Sequence, residues 1–115
     1  LIWVWNSPVP ECYPGDDVVD IISRDMYPPA HEHTSQSEMY NNLIKITAEP
    51  KITLIGEIGT LPSAKAIAEE RVGWASYMTW SHEFCTSEDY TTKDALKEMY
   101  SSPYAVTKET LPELY

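Results

Sequence analysis

Four short apolar runs punctuate the chain, with helical or turn-forming stretches between them. The first, Leu1-Ile2-Trp3-Val4-Trp5, reads as a strand from the first residue; Ser7-Pro8-Val9-Pro10 and the turn signal Pro14-Gly15-Asp16-Asp17 follow it. A second strand is expected from about Val18 to Tyr27, where Val19, Ile21 and Ile22 supply branched side chains. After a loop rich in Pro and His, Ser35-Gln36-Ser37-Glu38 fits a capping box. Met39, Leu43 and Ile46 then recur at helical spacing until Pro50 stops the run. Lys51 to Glu57 is a third strand, a nearly continuous apolar run ending in a carboxylate. Pro62-Ser63 opens a short helix that Gly73 closes, and Trp74 to Trp80 makes a fourth strand. Thr91-Thr92-Lys93-Asp94 is a second capping-box pattern, backed by the stripe Ala95, Leu96, Met99 and Tyr100. Pro103 to Tyr115 reads as an irregular wrap against the body.

Strands alternating with helices predict an α/β fold, with parallel strands joined by right-handed crossovers. Strands apolar on both faces agree, because parallel sheets are normally covered on both sides. Four strands are half of a closed barrel, which takes eight strands and about 250 residues. A chain that begins inside a strand, with no lead-in, reads as a fragment of a longer one.

Composition narrows the function. The 115 residues suffice for one small domain, and 43% hydrophobic content excludes a disordered chain. A net charge of −10, with Lys and Arg scattered, repels phosphate backbones and argues against nucleic acid. No apolar run is long enough for a membrane-spanning helix. Four tryptophans and eight tyrosines suit a sugar-binding cleft as well as a core, because each ring joins a flat apolar face to a polar edge. Cys12 and Cys85 have no metal-ligand spacing, and are equally readable as bridged or free.

In parallel α/β proteins functional groups sit where strands end. Those points are Trp5-Asn6, Asp25 and Tyr27, Glu57, and Trp80, a set able to surround one sugar ring. Glu57, in Thr53-Leu54-Ile55-Gly56-Glu57-Ile58-Gly59, follows an apolar strand where a charge costs desolvation unless paired or used. Its flanking glycines admit a ligand or a neighbouring backbone. It is either a nucleophile for an anomeric carbon or a structural carboxylate capping a nearby helix or pairing with Arg24 or Arg71. Tyr27 lies two residues after Asp25, on the same strand face, where its phenol can orient the carboxylate; its alternative is a core tyrosine. Trp80 is a sugar platform or a packing residue. His31-Glu32-His33 and His82-Glu83 do not match the helical zinc motif and read as solvated loop residues.

These segments carry a specific resemblance. LIWVWN (Leu1 to Asn6), then Tyr13-Pro14-Gly15-Asp16, then VDIISRDMY (Val19 to Tyr27) resemble strands five and six of glycoside hydrolase family 26. TLIGEIG (Thr53 to Gly59) resembles its strand-seven nucleophile segment, and YMTWS (Tyr77 to Ser81) its strand-eight segment. Each motif alone is weak; four in order, across the whole chain, are specific. The family is chiefly endo-β-1,4-mannanases on a (β/α)8 barrel. The resemblance therefore implies that residues 1–115 are the C-terminal half of a TIM barrel, a partial catalytic domain. It implies Glu57 as the nucleophile of a retaining hydrolysis, Tyr27 as its hydrogen-bonding partner, and Trp80, Trp5 and Asp25 at the sugar. It implies no metal or organic cofactor, a β-mannan substrate, and secretion, since such polymers are extracellular. The family's acid/base glutamate, which follows a His on strand four, has no counterpart here, and His31-Glu32 lies in the wrong loop to replace it. Cys12 and Val19 stand where an aromatic residue is expected. Without the second carboxyl the chain alone is expected to be inactive, and its partner is the missing N-terminal half or a second copy. Two other readings stay open: a non-catalytic half-barrel that binds sugar or self-associates, and a glucanase or xylanase of the same clan.

Overall fold

The computed structural model describes residues 1–111 and 113. Strands β1 (Val4–Asn6), β2 (Ile21–Met26), β3 (Ile52–Ile58) and β4 (Trp74–Thr79) form one sheet in sequence order, every neighbouring pair parallel. Helices α1 (Ser37–Leu43) and α2 (Ala64–Glu70) bridge β2 to β3 and β3 to β4, and α3 (Glu83–Thr86) and α4 (Lys93–Ser101) follow the last strand. A single turn of 3-10 helix at Pro10–Cys12 lies between β1 and β2. Strand order without reversal means that right-handed crossovers all fall on one side of the sheet. The other side is left bare.

Burial follows that division. Ile22, Met26, Ile55 and Ile58 are 0–4% exposed, packed with Leu43, Leu61, Ile67, Val72 and Trp74. Each such side chain removed from water contributes about 2 kcal/mol. Trp74 is fixed twice, its indole N–H donating to the Ser35 carbonyl (3.0 Å) and its ring meeting Tyr40 edge-on. On the bare side, Val4, Ile52 and Met78 are 49–57% exposed.

The expected elements are all present, with shifted ends. β1 begins at Val4 rather than Leu1, because Leu1 and Ile2 precede the point where Trp3 bonds to Asp20. β2 begins at Ile21 rather than Val18, since Gly15, at φ 122°, turns the chain and Val18 closes the turn onto its carbonyl (3.3 Å). The first capping box does not form. Gln36 takes the cap position without a capping side-chain bond, while Ser35 accepts from the Ser37 N–H and donates to Glu70 (2.6 Å). In the second pattern Thr92 is the cap, accepting from Ala95 N–H, and buried Thr91 instead accepts from the Leu61 N–H (3.0 Å). Helix α2 ends at Glu70, with Arg71 in the left-handed conformation, two residues before Gly73. Helix α3 was not anticipated. Residues 102–111 are irregular, as expected, and positions 112, 114 and 115 of the expected wrap lie outside the described residues. Cys12 and Cys85 are free and exposed.

Candidate active site

The C-terminal ends of the strands converge on Glu57. Plain alternation along β3 would turn Thr53, Ile55 and Glu57 to one face, and Thr53 and Ile55 are buried under the helices. The register prevents that outcome. Arg24 pairs with Ile55 but Asp25 pairs with Glu57, and Ile55 and Ile58 partner Tyr77 and Thr79, so Gly56 is an extra residue on β3. This bulge re-aims the next side chain, a role bulges often have beside active sites. Ile58 returns to the core, fully buried, and Glu57 is left on the bare face with Asp25.

The Tyr27 hydroxyl donates to Glu57 Oε2 at 2.7 Å. The bond to Glu57 is the main reason the Tyr27 pKa is pushed up to about 12; burial and the negative charges of Glu57 and Asp25 add to it. The phenol is therefore a proton donor at any ordinary pH. Neither arginine takes the structural alternative: Arg24 donates to the Ser7 carbonyl (2.9 Å), and Arg71 caps α2. Among the described residues no ion pair includes Glu57.

Beside this pair, the Asn6 amide donates to Asp25 Oδ1 at 2.9 Å. A Cβ on Gly56 would stand 2.7 Å from that oxygen and 3.0 Å from Asn6 Oδ1. A Cβ on Gly59 would stand 2.8 Å from Phe84 and 3.0 Å from Tyr27. Both glycines were expected to admit a ligand or backbone; they admit neighbouring side chains of the site itself. Trp80, 41% exposed, donates its backbone N–H to the Ile58 carbonyl (3.0 Å), which brings it to the same end of the sheet. It follows Thr79, the partner of Ile58, so alternation turns it to the Glu57 face.

Trp5 is the site candidate placed elsewhere. It pairs with Ile22 and packs against the core, edge-on to Tyr13 at 5.1 Å, rather than joining Glu57. Its position one residue before a polar strand end concealed this, because Asn6, not Trp5, has the parity of the open face. His33 Nδ1 lies 2.7 Å from the Leu61 carbonyl, and the His31 N–H donates to the Tyr90 carbonyl (2.9 Å), so this loop braces its neighbours. Asn6 and Phe84 are the participants that no sequence signal singled out by role.

The model of glycosyl hydrolase family 26 matches residues 1–110. The chain belongs to this family. A mannan endo-1,4-β-mannosidase of Thermothelomyces thermophilus is 34% identical over 111 residues, 96% of this chain and 23% of that protein. Mannan endo-1,4-β-mannosidase A of Piromyces sp is 30% identical over 97% of this chain and 18% of its own length. Among family 26 crystal structures, a Podospora anserina β-(1,4)-mannanase aligns with a TM-score of 0.84 at 33% identity, over 96% of this chain and 24% of that one. A β-mannanase from a symbiotic protist of the termite Reticulitermes speratus, complexed with gluco-manno-oligosaccharide, aligns with a TM-score of 0.84 at 28% identity, over 97% of this chain and 35% of that one. The chain thus spans about a quarter or less of the curated relatives it matches.

Proposed function

We propose that residues 1–115 are the strand-five-to-eight half of the (β/α)8 catalytic domain of a retaining endo-β-1,4-mannanase, with Glu57 as nucleophile. The observation that carries this is the carboxylate re-aimed by the Gly56 bulge onto the open face, with the Tyr27 phenol 2.7 Å away. A carboxylate on the apolar helix side could not reach a sugar; on this side it meets an aromatic rim and a second acid. The activities of the relatives supply the substrate class, β-mannan.

The chemistry runs by two displacements. Glu57 attacks the anomeric carbon while an acid on the complementary half protonates the leaving oxygen; water then releases the covalent glycosyl intermediate. Tyr27 holds the attacking oxygen in line and relinquishes nothing, since its proton is held to about pH 12. Asp25, anchored through Oδ1 by Asn6, turns its other oxygen to a sugar hydroxyl, and Trp80 walls the subsite of the sugar being cleaved. Action on an extracellular polymer entails secretion.

Exposed Val4, Ile52 and Met78 belong to the inner face that the other half of the barrel covers. The purified chain alone hydrolyses no mannan, having one of two carboxyls. Supplying the complementary half, in one longer chain or in trans, produces turnover that Glu57→Ala removes. Robust hydrolysis by the isolated chain, or by the Glu57→Ala barrel, overturns the reading.

A further inference from the structure

Phe84 makes no hydrogen bond to Glu57 and packs against the ring of Tyr27. The two rings meet edge to face, centroids 5.6 Å apart at 63°. Both press on Gly59, which is buried and donates its N–H to the Met26 carbonyl (3.1 Å); a methyl group there would collide with each ring. The far side of Phe84 is backed by Tyr90, with centroids 4.2 Å apart, and Tyr90 in turn accepts the His31 N–H. Tyr27 is therefore held between a carboxylate in front and a braced aromatic column behind.

The backbone that delivers Phe84 is strained. His82, immediately before α3, has φ 55° and ψ −130°, a conformation that a residue with a Cβ rarely adopts. Its carbonyl accepts from the Cys85 and Thr86 N–H groups and from the Thr86 hydroxyl (2.8 Å), which hold the turn in place. The result is a four-residue helix that carries Phe84 back over the strand ends. Tyr27 itself is 52% exposed, and a single hydrogen bond on an exposed ring is a weak restraint on its torsions.

We propose that Phe84 is a positioning residue of the Glu57 site, its ring seated on Gly59 so that the Tyr27 hydroxyl stays in the one orientation from which it donates to Glu57. The proposal rests on the nucleophile reading above. It couples the loop after β4 to the reactivity of a carboxylate on β3 without Phe84 touching substrate.

The test is a double-mutant cycle in the complete barrel, read as kcat and KM on a manno-oligosaccharide together with thermal melting. Phe84→Ala lowers kcat about tenfold with KM changed by less than about twofold, as small misplacements in an active site do. Phe84→Leu restores part of the loss, and Phe84→Ala adds nothing once Tyr27 is already Phe. An equal fall in kcat in both backgrounds overturns the proposal, because Phe84 then acts without the phenol. So does an unchanged kcat in a folded Phe84→Ala protein. Should Phe84→Ala fail to melt cooperatively, the same cycle with Phe84→Leu decides. Glu57→Ala is the separate control: retained turnover there rejects the nucleophile assignment itself, whatever the cycle shows.

Discussion

The two faces of this sheet are built from the same four strands and obey opposite rules. Beneath the helices, Ile22, Ile55 and Ile58 are 0–2% exposed, and close packing of mainly apolar side chains determines what fits. On the other face Val4, Ile52 and Met78 are about half exposed, and toward the strand ends Asn6, Asp25, Glu57 and Tyr27 form hydrogen-bonded pairs. Stability resides on the first face. The candidate site lies at the upper edge of the second, where one extra residue in β3 leaves a carboxylate on that face.

The largest expected effect that separates the faces is Glu57→Ala in a complete barrel: turnover falls by on the order of 10⁴ or more, with the melting temperature little changed. A variant that loses cooperative melting instead would make Glu57 a structural carboxylate. The converse substitution is Ile58→Ala, one residue along and fully buried. It costs about 3 kcal/mol in denaturant unfolding, from lost burial and the cavity left behind. A cost near zero would mean that the two faces are not distinct.

Tyr27→Phe removes one hydrogen bond to a charged group, worth about 2 kcal/mol, so kcat/KM falls roughly tenfold to a hundredfold while folding holds. An unchanged rate would reduce the phenol to packing.

Alkaline titration reads the same bond. The folded pKa of Tyr27, about 12, lies above the ordinary value of 10.0. The native state therefore holds the proton more tightly than the unfolded chain, and the stabilisation is complete below pH 10.0 and lost as pH rises toward about 12. In phenolate absorbance, Tyr27→Phe removes one late-titrating tyrosine; loss of one titrating near pH 10 contradicts the bond.

The smallest effect is expected at Ile52, 57% exposed. Ile52→Ala changes the stability of this chain by less than about 0.5 kcal/mol. The same substitution in a completed barrel costs several times more, and an equal small cost in both would show that the bare face remains bare.

Much of this was legible along the chain because it is local. Apolar runs of strand length, Pro50 as a stop, and Ser63 before an alanine-rich stretch act through neighbours a few residues away, and each element formed close to its expected place. The carboxylate, the phenol and the indole were recognisable for the same reason: side chains at parallel strand ends must share one rim. Other features depend on partners distant in sequence. The Ser35 hydroxyl, expected to cap a helix, donates to Glu70, 35 residues later, at 2.6 Å. Trp5, expected at the sugar, packs half-buried against the core on the face set by its pairing with Ile22.

Residue types and their order therefore determined a parallel α/β sheet with an acid and aromatics at one end. The face on which that acid stands was decided only by tertiary pairing, because a bulge is a mismatch between two strands and exists in neither alone. The bracing of Tyr27 by Phe84, 57 residues away by numbering and in contact across Gly59, belongs to the same class.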